Sequence, residues 1–331
     1  MVFTPKVSVV IDNYNYGRYL GEAIDGVLRQ KYDGEVECIV VDDGSTDDSR
    51  SVIRSFGERV RAILQENRGQ ATAFNTGFEA ARGDIICLLD SDDYWKPEKL
   101  AAVAAPFADK RVGIVQHFLQ DVDAAGRPLP QRFPDWPESY TLEDFLDKRI
   151  HFTATSGLAF RRSELVRALP IPKDVFYYLD DMLFVKVLFR AKAVNIPKIL
   201  GVHRNHGGNF CFAGYRSPRK LELDMKMNAI FHREIDPLLD LHGKEFTERY
   251  RQQEEMEYFR RRILLYRMRG EWREAAAQWS ELARRYGRTR FGFFRTATCL
   301  LALLSTGLYL RFYELYSRLQ GAHLRFRLFP E

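Results

Sequence analysis

Cysteine is scarce in this 331-residue sequence: Cys38, Cys87, Cys211 and Cys299 are scattered, and no two stand at CxxC spacing. That spacing excludes a disulfide scaffold or a zinc ribbon. Cys38 and Cys87 lie inside apolar runs, where a buried free thiol is expected, and this suits a reducing compartment. No apolar run reaches the roughly 20 residues a spanning helix needs. There is no lysine-rich tract and no zinc-finger, RNP-like or homeodomain pattern, so no nucleic-acid partner is expected. The opening residues, MVFTPKVSVVIDNYN, enter a strand at once without the charged and apolar regions of a secretion signal, so a cytoplasmic location is expected. No internal repeat is evident; 270–286 resembles one helix of a helical repeat, in a single copy.

What is present is an ordinary globular composition, 46% hydrophobic and 29% charged, ample for a sizeable core. The formal charge of +5 is a mild basic bias that suits an anionic ligand or an anionic membrane surface. Short β-branched runs at 7–11, 36–41, 60–64 and 85–89 read as buried parallel strands. Helical spacing follows the first (Leu20, Ala23, Ile24, Val27, Leu28) and covers 70–81, closed by Gly83. Ser45 and Asp48 read as a capping box opening another helix. Strands alternating with helices at crossover length predict an α/β fold: a doubly wound, mostly parallel sheet flanked by helices. Further elements are expected as a helix over 98–107, strands over 112–118 and 152–160, a helix from Ser163, a helix over 177–191 and an extended segment over 202–209. After Pro218 the composition shifts to long helices rich in Arg, Glu and Leu. The expected domains are therefore 1–215, α/β, and 216–331, a helical C-terminal extension.

In doubly wound sheets ligands bind beyond the carboxyl ends of the strands, and two of those ends carry acidic clusters. Asp90-Ser91-Asp92 places two carboxylates two residues apart. Hard divalent cations such as Mg²⁺ or Mn²⁺ take carboxylate oxygens and keep positions open for phosphate. A cation there stabilises negative charge on a departing diphosphate. A solvated acidic turn is the alternative. In Asp42-Asp43-Gly44-Ser45, a carboxylate can accept from a pyrimidine imide or a ribose hydroxyl; helix capping is the alternative. Tyr14, in the same layer, is placed to stack on a base or to cover the sheet edge. Arg68, in Asn67-Arg68-Gly69 ahead of Asn75 and Gly77, is a candidate to neutralise a diphosphate, or a surface ion pair. Asp180-Asp181 opens an apolar helix, either as a general base for an attacking hydroxyl or as a dipole partner. His206, in RNHGGN, is a candidate metal ligand or phosphate contact.

The runs VSVVIDNYN at 7–15, VVDDGSTDDS at 40–49, ENRGQATAFNTGFEAARGD at 66–84 and LLDSDDYWKP at 88–97 together resemble the inverting family-2 glycosyltransferases of the GT-A fold. The resemblance continues more weakly through Ser156–Phe160, Leu179–Asp181 and 204–209, over roughly the first 210 residues. It implies transfer of a sugar from a nucleoside-diphosphate sugar, with a UDP-linked donor expected, to an acceptor hydroxyl by single displacement with inversion. It implies that Asp43 contacts the base with Tyr14 beside it, and that Asp90 lies near ribose and metal. Asp92 would bind the metal, Asp181 would be the base, and His206 would complete the metal and diphosphate site. Asp12 departs from the family's usual Pro or Thr, and Asp180 from its usual Glu. The resemblance also implies a glycan, lipid-linked or other hydroxyl acceptor, with an expected role in cell-surface glycan or polysaccharide synthesis. Trp95 and the loop 126–137, with Trp136, are placed by position on the acceptor side.

Two other readings share these features. A sugar nucleotidyltransferase would need a glycine-rich basic loop after the first strand, where this chain has IDNYNYGRYL. A non-catalytic nucleotide-sugar-binding scaffold would tolerate a degraded DxD or a lost base, and both are intact. In the C-terminal part, Thr296 to Leu310 is apolar and flanked by Arg290, Arg295 and Arg311. The segment 288–327 is a candidate for peripheral contact with an anionic membrane at the inner face of the cell, or for a core or oligomer helix.

Overall fold

The computed structural model describes residues 4–206 and 217–319. The chain divides into two compact units, residues 1–145 with 150–210, and residues 146–149 with 211–331. The boundary expected near residue 215 falls outside the described residues, as does Cys211.

The first unit is built on one sheet. Its strands are β1 (Val7–Asn13), β2 (Val36–Asp43), β3 (Arg61–Gln65), β4 (Ile85–Asp90), β5 (Tyr94–Trp95), β6 (Val112–Asp123), β7 (Ser139–Tyr140), β8 (Leu158–Arg161) and β9 (Lys192–Asn205). They are ordered β3-β2-β1-β4-β8-β6-β9-β5, with β7 on β9. β1 runs parallel to β2 and β4, β2 to β3, and β6 to β9. β8 is antiparallel to both β4 and β6. The sheet is thus mixed but mostly parallel, as the alternating pattern implies.

Both faces of β1, β2 and β4 are covered, which is why their sequences are continuously apolar. Val7, Val9, Ile11, Cys38, Val40, Cys87 and Leu89 share one core with Leu20, Ile24 and Val27 of helix α1 (Gly17–Leu28). On the other face, helix α3 (Gln70–Ala80) approaches so closely that a Cβ on Gly77 would lie 2.3 Å from Val10 Cγ1. Between them in sequence is α2 (Ser49–Ser55). The helix expected over 98–107 is α4 (Lys99–Ala104) continued by a 3-10 turn to Ala108.

Several expectations are corrected. Ser45 does not cap α2: its hydroxyl accepts from Asn13 Nδ2 (3.1 Å) and the Asn15 N–H (2.9 Å), while Asp47 receives the Ser49 N–H (3.0 Å). The strand expected over 152–160 is a 3-10 turn, Thr155–Gly157, followed by β8. β9 begins ten residues before the extended segment expected at 202, because its pairing with β6 is non-local and leaves no periodic mark. Helices α5 (Leu142–Leu146) and α6 (Arg162–Val166) are short, and α7 spans Leu179–Leu188.

The second unit is helical: α8 (Pro218–Leu241), α9 (Lys244–Arg269), α10 (Trp272–Tyr286), α11 (Arg290–Leu304) and α12 (Thr306–Leu319). Leu221, Ile263, Leu264, Ala275, Leu282, Cys299 and Ala302 form its core. The apolar stretch from Thr296 breaks at Ser305 into two helices. Among the described residues no helix is long and apolar enough to cross a membrane.

Candidate active site

The strand ends of β1, β2 and β4 bring their carboxylates to one edge, since Asp12 is in register with Asp90, and Asn13 with Asp42. What separates these acids is how each is partnered.

Asp42 is fully buried and accepts from Asn13 Nδ2 (2.9 Å), the Ser45 N–H (3.3 Å) and Arg50 Nε (3.0 Å). Those bonds lock the β1 and β2 turns together. Asp43 accepts from Gln65 Nε2 (2.6 Å) and the N–H groups of Arg68 (3.0 Å) and Gly69 (2.7 Å). Asp43 therefore draws the 67–69 loop over the β2 end. Gly44 permits it: φ is +79°, and a Cβ there would sit 2.6 Å from the Asn67 nitrogen. Arg68 takes part through its backbone N–H, and its side chain is exposed. Asn75 is structural, exchanging bonds with Ile171 (2.8 and 2.9 Å). Tyr14 is 46% exposed at this edge.

At the end of β4 the chain leaves β geometry and carboxylates crowd. Burial, then the charge of Asp12, then Asp93, Asp92 and Asp180 raise the Asp90 carboxyl well above the ordinary range. Burial, with Asp92 adding to it, pushes Asp12 to about 7 against a bond from Gln70. Burial also pushes Asp93 to about 6. Gln70 Nε2 bonds Asp90 Oδ1 (3.3 Å), and Asp12 Oδ1 is buried without a partner among the described residues. Asp92 Oδ2 meets His206 Nε2 at 2.9 Å. His206 is flanked by Tyr16 and Tyr19, ring centroids 5.2 and 5.4 Å away.

Behind this cluster sits a clamp that the sequence reading missed. Ser156 Oγ donates to Asp93 Oδ2 (2.6 Å) and accepts the Asp90 N–H (3.0 Å). The Arg204 N–H donates to Asp93 Oδ1 (2.8 Å), and its guanidinium reaches the Asp92 carbonyl (3.0 Å) and Glu22 (2.5 Å). Arg204 also lies over the Tyr19 ring, 4.7 Å from its centroid. Asp93 directly follows the DxD, and that adjacency was the signal available.

A divalent cation fits the residues present. Like charges raise one another's pKa, a buried carboxylate oxygen is orphaned, and a histidine nitrogen and a carboxylate converge. Among the described residues no group of three or more acidic, His or Cys side chains is arranged to hold a metal by themselves.

The charge of Asp180 is felt at Asp90, which brings the start of α7 to this cluster. Asp180 accepts from the Thr155 hydroxyl (3.0 Å) and from the Asp181 N–H (3.0 Å). Asp181 is buried beside it. Trp95 is corrected: it is buried, donates Nε1 to the Ser156 carbonyl (2.8 Å) and carries Lys99 Nζ 3.4 Å over its ring, so it belongs to the core. Trp136 packs on Phe118 at 4.2 Å, with its indole N–H buried and unpartnered among the described residues.

Comparison with known proteins agrees with this construction. Residues 8–169 match the family described as glycosyl transferase family 2. An uncharacterized glycosyltransferase of Nostoc sp. is 38% identical over 215 residues, 62% of this chain and 66% of that protein. TuaG of Bacillus subtilis, whose name places it in teichuronic acid biosynthesis, is 34% identical over 150 residues, 44% of this chain and 59% of its own length. The chain thus spans just under two thirds of the length of these relatives. In fold it is similar to S. aureus TarS 1-349 in complex with UDP-GlcNAc, with a TM-score of 0.58 at 20% identity over 98% of this chain and 94% of that one. It is also similar to the mannosyltransferase PcManGT of Pyrobaculum calidifontis in complex with GDP-Man and Mn²⁺, with a TM-score of 0.55 at 22% identity over 96% and 86%. Residues 8–169 are thus a glycosyl transferase family 2 domain on a GT-A type fold.

Proposed function

We propose that the chain transfers a sugar from a nucleoside-diphosphate sugar to an acceptor hydroxyl, with inversion, aided by Mn²⁺ or Mg²⁺. The observation that carries this reading is the β4 end. There burial raises Asp90, Asp12 and Asp93, the charge of Asp92 adds to each, and Asp12 and Asp93 raise Asp90 further, beside the Asp92–His206 pair, a concentration of negative charge that a cation and its diphosphate would complete. Two fold neighbours hold nucleotide sugars, one of them with Mn²⁺.

In this reading Asp92 and His206 hold the cation, and Asp90 lies beside it. When bound, the cation supplies Lewis-acid stabilisation of the leaving diphosphate. Asp43 receives the base or ribose, Tyr14 stacks on the base, and Arg68 swings its exposed guanidinium to the diphosphate. Asp180 positions the start of α7, and Asp181 takes the proton from the acceptor hydroxyl as it attacks the anomeric carbon. Single displacement needs no covalent intermediate, and none of these residues is assigned as a nucleophile. Trp136, in the loop 126–137 and packed on Phe118, is placed on the acceptor side. The donor is assigned as UDP-linked and the acceptor as a glycan or lipid-linked hydroxyl of the cell surface. TuaG's name supports that class. The reaction is placed on the cytoplasmic side of the membrane.

The test is a panel of nucleotide sugars screened for Mn²⁺-dependent release of nucleoside diphosphate. Release from at least one donor, lost in Asp92→Ala, is expected. Donor binding without release or transfer to any acceptor would favour a nucleotide-sugar-binding scaffold instead.

A further inference from the structure

Helix α11 buries polar groups along with apolar ones: Arg295, Thr296 and Thr298 lie on its buried side together with Cys299, Ala302 and Leu303. Its exposed positions run Phe293, Ala297, Leu300 and Leu304, the i, i+4, i+7, i+11 spacing of a single stripe. Phe293 is 68% exposed and Leu304 63%, and on α12 the stripe is continued by Leu308 at 55%. A soluble surface normally reverses this arrangement, and a contiguous apolar patch of this kind marks an interaction site.

Charge decides what fits it. From 282 to 313 the sequence contains no Asp or Glu, while Arg284, Arg285, Arg288, Arg290, Arg295 and Arg311 fall inside it. Arg284 pairs with Glu281, Arg285 with Glu281 and Glu255, and Arg295 with Glu257. Arg288 and Arg311 are exposed and form no ion pair among the described residues. They stand just outside the two ends of the stripe in sequence. A second copy docked through the same patch would set arginine rims near each other; an anionic lipid surface would neutralise them. At 15 residues α11 is about 22 Å long, suited to lying in a bilayer's interface and too short to span it.

We propose that the α11–α12 face docks on an anionic lipid surface, with Phe293, Leu300, Leu304 and Leu308 entering the acyl boundary and Arg288 and Arg311 on the headgroups. This surface is independent of the transfer chemistry, and its test reads binding rather than turnover.

The experiment is co-sedimentation of the full chain with phosphatidylcholine vesicles and with vesicles containing phosphatidylglycerol. Binding to the anionic vesicles should exceed binding to the neutral ones by about tenfold or more and weaken with salt. Phe293→Glu with Leu304→Glu should abolish it while the circular dichroism spectrum and nucleoside-diphosphate binding persist. Arg288→Glu with Arg311→Glu, at two exposed positions, should lower it by about tenfold. Equal sedimentation with both vesicle types, or anionic binding unchanged in both double variants, overturns the proposal. So does a dimer in light scattering that Leu304→Glu converts to monomer, which would give the face to a second copy.

Discussion

The two units handle buried charge in opposite ways. In the helical unit, among the described residues, the buried acids have cations at hand. Glu257 lies between Arg260 (2.8 Å) and Arg295, Asp224 pairs with Arg261 (3.1 Å), and Glu254 meets Lys148 and His232 (3.2 Å). Burial alone would raise Glu254 and Glu257, but their basic neighbours outweigh it and hold both carboxyls below the ordinary range. At the β4 end of the sheet unit, burial and like charge act together, and Asp12, Asp90 and Asp93 are raised. Paired buried charge is architecture. Unbalanced charge of one sign marks where a ligand completes the site.

That contrast can be broken at either end. The largest effect is expected from Asp92→Ala, which should lower donor turnover by more than about 10³-fold, measured as Mn²⁺-dependent nucleoside diphosphate release. Asp181→Asn should lower transfer by about 10²–10³-fold and leave nucleotide binding in place. Retained transfer in that variant, with loss in Asp180→Asn, would move the base by one residue. In the helical unit, Glu257→Ala strands Arg260 and Arg295 in the core and should cost about 3–5 kcal/mol, read from urea denaturation.

The pH dependence should also have opposite signs. Asp12 and Asp93 are raised, so the folded cluster keeps protons that an unfolded chain releases. Its contribution is present below the ordinary carboxylate pKa and is lost as pH rises through about 6 to 7. A cation offsets that loss, so thermal stabilisation by UDP plus Mn²⁺ should grow from about pH 5.5 to about pH 8. Glu254 and Glu257 are lowered, so what they contribute is present above the ordinary glutamate pKa and disappears as acid protonates them. The smallest effect is assigned to Trp136→Phe, which should raise the acceptor KM a few-fold, with donor hydrolysis unchanged.

The parts legible in the sequence are those written locally. The runs at 7–11, 36–41 and 85–89 are apolar because both sheet faces are covered there, and each gives way to acids where the strand ends. β8 was obscured because its place between β4 and β6 is set by non-local pairing, and four residues carry no period. The Asp93–Ser156–Arg204 clamp joins three distant segments and was invisible for the same reason. Asp42 and Asp43, adjacent in sequence, separate only in space: one bonds the β1 turn, the other the loop before α3. The apolar stretch at 296–310 was legible as unusual, but which residues face outward depends on the break at Ser305 and on Glu257 drawing Arg295 inward.

The central claim, that the acids at the sheet edge form one site completed by a cation and a diphosphate, is tested most directly by calorimetric titration of UDP with and without Mn²⁺, in the native chain and in Asp92→Ala. The account predicts that Mn²⁺ strengthens UDP binding by at least about tenfold in the native chain and not in the variant. UDP affinity indifferent to Mn²⁺, or an undiminished Mn²⁺ effect in Asp92→Ala, would contradict it.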